Sequence, residues 1–168
     1  EKVILVIGGS LGAKSINEAV IKNWEKIIAD EKIKLFWGTG KDNFEEDTYR
    51  MKNFGNSVVK PYFNNVADIM SASDLVICRA GASTISELIQ LEKPSILIPY
   101  DFVGQKENAD VLEYVNGAKI FTNETADKAV EEAMTLVKQD EMLEFMKGNI
   151  RKLKKGNAAD TIIQEMGL

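Results

Sequence analysis

Short runs of branched apolar residues recur along this chain, and each gives way to a stretch with helical periodicity. The runs are Val3-Ile4-Leu5-Val6-Ile7, Ile33-Lys34-Leu35-Phe36-Trp37, Val58-Val59, Leu75-Val76-Ile77-Cys78, Ser95-Ile96-Leu97-Ile98 between Pro94 and Pro99, and Ala118-Lys119-Ile120-Phe121. Apolar runs this short, without polar alternation, suit strands covered on both faces. Strands that alternate with helices at intervals of about 20–30 residues imply right-handed βαβ units and a parallel sheet. The expected fold class is therefore α/β, a six-stranded parallel sheet flanked by helices in a single domain over residues 1–168.

The helical stretches carry their own patterns. Ile16, Ala19, Val20, Ile27 and Ile28 share one face of a first helix, with Trp24 close by. A polar helix is expected at roughly Asp42 to Lys52, with Glu45-Glu46-Asp47 as a solvated face. Asn64 or Asn65 can cap a helix carrying Val66, Ile69 and Met70, and a later helix carries Gln105, Asn108, Val111, Leu112 and Val115. Three helical stretches are expected to close the chain, the clearest apolar face being Ala129, Ala133, Leu136 and Val137. The cluster Lys147, Arg151, Lys152, Lys154 and Lys155 reads as helix surface.

In a parallel sheet, ligands sit beyond the carboxyl ends of the strands. Three exits there are rich in glycine or polar residues: Gly8–Ala13, Arg79–Ser83 and Tyr100–Gln105. The first, Gly8-Gly9-Ser10-Leu11-Gly12-Ala13, does not fit the dinucleotide fingerprint, because its glycines are misplaced. It nearly fits a phosphate-binding P-loop, but Ala13 stands where that loop needs its second glycine, and no strand supplies the magnesium-binding aspartate. A plain tight turn remains the alternative. The second exit leads into Thr84-Ile85-Ser86-Glu87-Leu88-Ile89, whose open N-terminus suits an anion. Glu87 has two readings. Either Thr84 and Glu87 form a capping box, or Glu87 accepts hydrogen bonds from ligand hydroxyls such as a ribose diol.

Composition removes several function classes. A net charge of −5 disfavours binding to a nucleic-acid backbone. The chain holds no histidine, the commonest general base and zinc ligand, and its one cysteine excludes an internal disulfide and suits a reducing cytosol. No Asp-x-Asp pair is present to hold a divalent ion, so no metal or other cofactor is expected. No apolar run approaches the ~20 residues of a membrane span, and no signal peptide is read. The chain opens on Glu1 rather than Met, as a processed or excised segment would.

The glycine loop with Asn17 behind it resembles that of the MurG family of bacterial N-acetylglucosaminyltransferases. So does the block from Asp74 to Glu87, through Arg79-Ala80-Gly81-Ala82-Ser83-Thr84-Ile85-Ser86-Glu87, followed by Lys93-Pro94-Ser95-Ile96-Leu97-Ile98-Pro99. The family has two Rossmann-like domains, the GT-B fold, and the resemblance covers only the C-terminal, donor-binding one. It implies an inverting glycosyltransferase that uses UDP-GlcNAc, releases UDP, and builds the lipid-linked disaccharide precursor of peptidoglycan. Gly9, Ser10 and Gly12 would face the diphosphate and sugar, and Glu87 the ribose. Arg79 and Gly81 belong to the same block, and the backbone of Ala82, Ser83 and Thr84 would bind the α-phosphate end. The Phe63 backbone would meet uracil, and Gln105 and Asn108 the transferred sugar. Where the family usually has His or Gln before that glutamine, this chain has Gly104, which bears on sugar selectivity. The general base and the site for the lipid-linked muramyl-pentapeptide acceptor would lie on an N-terminal domain. By that resemblance the whole enzyme is cytoplasmic and peripheral on the inner face of the plasma membrane, and this chain alone binds donor without transferring. A split transferase's donor subunit, a non-catalytic nucleotide-binding module and, last, a P-loop NTPase are the alternatives.

Overall fold

The computed structural model describes residues 1–8, 13–51, 53–101 and 104–154. Six strands form one all-parallel sheet: β1 (Lys2–Ile7), β2 (Ile33–Gly38), β3 (Val58–Lys60), β4 (Leu75–Cys78), β5 (Ser95–Leu97) and β6 (Ala118–Ile120). Their spatial order is β3-β2-β1-β4-β5-β6, so the direction of winding reverses between β1 and β4. That reversal opens a crevice at the carboxyl edge, the usual ligand position in open α/β sheets.

Both faces of the sheet are buried, as the unbroken apolar runs require. Ile4, Val6, Leu75 and Ile77 point into one core with Ile16, Val20, Trp24 and Trp37. Leu5, Val76 and Cys78 point into the other with Phe63, Met70, Leu88 and Leu112. The first layer is closed by α1 (Lys14–Lys22), α2 (Trp24–Ala29) and α7 (Ala126–Leu136). The second is closed by α4 (Val66–Ala72), α5 (Ala82–Gln90) and α6 (Gln105–Tyr114), while α8 (Asp140–Leu153) contributes to both.

The strand ends are in register. Ile7 lies opposite Gly38 on one side and Cys78 on the other, Gly38 opposite Lys60, and Cys78 opposite Leu97. The exits from β1 to β5 therefore begin at one level along the edge.

Three expectations need correction. The first helix is two: Asn23 lies between α1 and α2, and its buried amide donates to the Ala19 carbonyl at 2.8 Å. A side chain that bonds the backbone one turn back competes with the helical ladder and bends it. The polar helix is shorter than expected, α3 (Phe44–Tyr49), and its acidic run is not all solvated, because Asp47 is 4% exposed. Helix α5 begins at Ala82 after an extended Gly81, so Thr84 is inside the helix and the Thr84–Glu87 capping box does not form. Elsewhere Asn65 precedes α4 without a side-chain cap. Two of the closing helical stretches are α7 and α8, with Ala129, Ala133, Leu136 and Val137 buried as expected. In the basic cluster, Arg151 and Lys154 pair with Glu92 on the surface, and Lys155 lies outside the described residues.

Candidate functional site

The first turn of α1 and the exits of β4 and β5 are joined by side chains. Arg79, which follows β4, is buried. It donates to the Ile98 carbonyl at 3.0 Å, to Asn123 Oδ1 at 2.6 Å and to Ser15 Oγ at 3.2 Å. Ser15, in the first turn of α1, itself donates to Asn123 Oδ1 at 2.6 Å. The guanidinium also lies over the Tyr100 ring, 3.9 Å from its centroid. Burial lowers the Arg79 pKa, while Tyr100 and Asp101 act the other way. Among the described residues no carboxylate forms an ion pair with Arg79. Its direct hydrogen-bond partners are thus neutral groups, while the Asp101 carboxylate acts on it without forming an ion pair.

The same edge carries the open start of α5. Gly81 ends the β4 exit in extended backbone, and no side chain caps the helix. The N–H groups of Ala82, Ser83 and Thr84 fall in the first turn, where an α-helix supplies no internal acceptor. With the positive end of the helix dipole, that turn favours an anion.

Gln105 and Asn108 hold the neighbouring backbone. Gln105 Oε1 accepts from the N–H of Ala80 and of Tyr100, each at 3.1 Å. Asn108 Nδ2 donates to the Ala80 carbonyl at 3.0 Å. Gly104, just before α6, has φ +97°, a conformation that residues with a Cβ rarely adopt, although among the described residues beyond its chain neighbours a Cβ there would meet no atom within 4 Å.

A cleft of about 380 Å³ opens beside α5. Ile7 and Gly38 line it from the ends of β1 and β2, Pro61, Tyr62 and Phe63 from the β3 exit, and Val66 from α4. Thr84 and Glu87 close it from α5, and Lys41 lines it from the β2 exit. The Phe63 ring is nearly buried and meets Phe36 edge-on, with centroids 6.2 Å apart. Burial, with the Glu87 carboxylate nearby, pushes the Cys78 thiol up to about 12, so that cysteine stays protonated. The β2 and β3 exits are fastened together, because Thr39 N–H donates to Lys60 O at 3.0 Å and Gly40 N–H to Pro61 O at 2.8 Å. Behind them, Asn17 accepts from Trp37 Nε1 at 3.0 Å and donates to Thr39 O at 2.8 Å, which pins α1 to the β2 exit.

Phe63, Thr84 and Glu87 thus come together in one cleft, while Arg79, Gln105 and Asn108 converge on the backbone at Ala80 and Ile98. Gly81, Ala82 and Ser83 lie between these groups at the start of α5. Gly9, Ser10 and Gly12 lie outside the described residues. The sequence reading did not single out Lys41, although it directly follows the glycine-rich exit Gly38-Thr39-Gly40. Among the described residues no helix is long and apolar enough to cross a membrane.

The family model described as "Glycosyltransferase family 28 C-terminal domain" matches residues 3–165. A UDP-N-acetylglucosamine--N-acetylmuramyl-(pentapeptide) pyrophosphoryl-undecaprenol N-acetylglucosamine transferase of Fusobacterium nucleatum subsp. nucleatum is 46% identical over 171 residues, a match that covers 100% of this chain and 48% of that protein. The transferase of the same name from Desulforamulus reducens is 33% identical, over 96% of this chain and 46% of its own length. Among solved structures, Acinetobacter baumannii MurG matches with a TM-score of 0.77 at 26% identity, covering 99% of this chain and 52% of that one. The chain spans about half the length of the curated relatives it matches. By this match to nearly its whole length, the chain belongs to the glycosyltransferase family 28 C-terminal domain family, and its fold is that of the matching half of a GT-B glycosyltransferase.

Proposed function

We propose that this chain is the UDP-GlcNAc-binding domain of an inverting N-acetylglucosaminyltransferase that forms the lipid-linked disaccharide precursor of peptidoglycan. The observation that carries the reading is the cleft itself. It sets the Glu87 carboxylate and Thr84, on a helix with an uncapped N-terminus, against an apolar slot lined by Ile7, Pro61 and Phe63. A nucleoside diphosphate has matching parts in the same order: phosphates for the α5 N-terminus, a ribose diol for Glu87, and a flat base for the slot. The buried Arg79 charge nearby adds to the attraction for the diphosphate. As the diphosphate departs, backbone N–H groups and the helix end would carry the developing charge.

The acceptor half of the reaction belongs elsewhere. Inverting transfer needs an acceptor hydroxyl aligned with the anomeric carbon and a base to take its proton. In this proposal both are supplied by an N-terminal acceptor-binding domain across the cleft. That domain would also hold the lipid-linked muramyl-pentapeptide at the cytoplasmic face of the plasma membrane. This chain alone then binds UDP-GlcNAc and UDP but transfers no sugar. A transfer assay with radiolabelled UDP-GlcNAc and a soluble acceptor analogue tests the division of labour. Background counts from the chain alone fit it, and turnover abolished by Glu87→Ala contradicts it.

A further inference from the structure

We propose that Lys41 selects the nucleobase, donating a hydrogen bond to an exocyclic keto oxygen and so favouring a uracil-type base over a cytosine-type one. The inference rests on the nucleoside-diphosphate reading of the cleft and assigns a role to a side chain that reading leaves unused. Besides the Phe63 backbone, which the resemblance sets against uracil, the slot is lined by the apolar side chains of Ile7, Pro61, Phe63 and Val66 and by Tyr62, whose ring faces Lys41. Lys41 and Glu87 are the charged side chains on its lining, and they come from opposite sides. Glu87 and Thr84 sit on α5, after β4, whereas Lys41 follows β2, and β1 lies between those strands. A ligand whose phosphates sit at the α5 N-terminus and whose ribose sits at Glu87 must run across β1, so its base is the part that arrives at Lys41.

The ammonium is held at the mouth of the slot. Lys41 Nζ lies 4.7 Å from the centroid of the Tyr62 ring, and Tyr62 lines the same cleft from the β3 exit. The backbone bonds from Thr39 and Gly40 to Lys60 and Pro61 fix those two exits to each other, so lysine and tyrosine are presented together. An ammonium offers three donors and no acceptor. Uracil and cytosine differ at one exocyclic position, a keto oxygen in the first and an amino group in the second, and an amino group is itself a donor. A cation there is attracted to the first and opposed by the second.

Calorimetry with UDP, CDP and UMP on the full chain and on Lys41→Met and Lys41→Arg tests this, with circular dichroism to confirm that each variant is folded. The parent is expected to bind UDP at least about tenfold more tightly than CDP. Lys41→Met should weaken UDP by about tenfold and UMP equally, while CDP changes by less than about twofold. Lys41→Arg, which keeps the cation, should keep the preference. A Lys41→Met protein that retains the full UDP-over-CDP ratio overturns the inference. So does a parallel loss for both diphosphates, or a loss for UDP with none for UMP, since either would put Lys41 on the ribose or phosphates. A parent that binds none of the three nucleotides overturns the nucleotide reading itself.

Discussion

Gln105 reaches back from the first turn of α6 to the exit of β4, where its side-chain oxygen accepts the Ala80 N–H at 3.1 Å. The same oxygen accepts the Tyr100 N–H, so one amide ties together two exits at the carboxyl edge. A residue that the resemblance assigns to the transferred sugar is therefore also a structural clasp. The two roles use different atoms: the oxygen is engaged, while the amide nitrogen is the atom that a Cβ added at Gly81 would approach, at 3.9 Å.

That separation makes Gln105 testable. Gln105→Ala leaves two partly buried N–H groups without their acceptor and should destabilise the chain by about 1–3 kcal/mol. Gln105→Glu keeps the acceptor, so urea denaturation should show most of the stability retained. Its negative charge beside the proposed sugar-diphosphate site should nevertheless weaken UDP-GlcNAc binding in calorimetry. Equal stability losses in both variants would deny the clasp.

Asp47 gives the chain a dependence on pH. Its carboxyl is buried on α3, and its Oδ2 has no hydrogen-bond partner among the described residues. Burial, with the Glu18 and Glu46 carboxylates adding to it and Arg50 opposing, raises its pKa to about 6. The folded state thus holds this proton more tightly than the unfolded one, whose carboxyl titrates near 4. Stability from protonated Asp47 is complete below pH ~4 and is lost as pH rises through about 6. Asp47→Asn, which cannot ionise, should match the parent near pH 4. At pH 8 it should exceed the parent by up to roughly 2–3 kcal/mol. Urea melts of both proteins across that range check the sign, and a gap that does not change with pH would contradict it.

Gly104 presents a conflict between backbone and donor contact. Its φ of +97° disfavours any residue with a Cβ, yet a Cβ there would meet none of the described residues beyond its chain neighbours within 4 Å. Gly104→Gln should therefore fold and lose about 1–2 kcal/mol through the backbone alone. If the family's side chain at this point orients the sugar, the parent should separate UDP-GlcNAc from UDP-GalNAc by less than about tenfold, and Gly104→Gln should widen that ratio. Competition binding with the two donors measures it, and a parent that already separates them tenfold or more defeats the idea.

How much of this was legible in the sequence follows from the range of each interaction. The strands and their parallel arrangement come from local apolar runs and the spacing between them, and both were readable. That β1, β4 and β5 end on one edge followed from their parallel arrangement, which handedness constrains. The capping-box alternative for Thr84 and Glu87 was open because their spacing satisfies one; it fails because the helix starts earlier, where Gly81 is extended. Asp47 was misread because a run of charges normally marks solvent; its burial depends on α3 lying near Glu18 of α1. Lys41 was missed because its partner, Tyr62, is twenty-one residues away in the chain and adjacent only once β2 and β3 pair. The clasp formed by Gln105 is likewise a tertiary contact that no local pattern encodes.

The central claim is that this cleft binds the nucleotide of a UDP-sugar through Glu87, and titrating UDP into the parent chain and into Glu87→Ala by calorimetry tests it most directly. A charged hydrogen bond to the ribose is worth ~1.5–3 kcal/mol, so the variant should bind UDP roughly ten- to a hundred-fold more weakly while keeping the parent's circular dichroism spectrum. Equal UDP affinity in a folded Glu87→Ala protein would contradict the assignment of the ribose to this carboxylate.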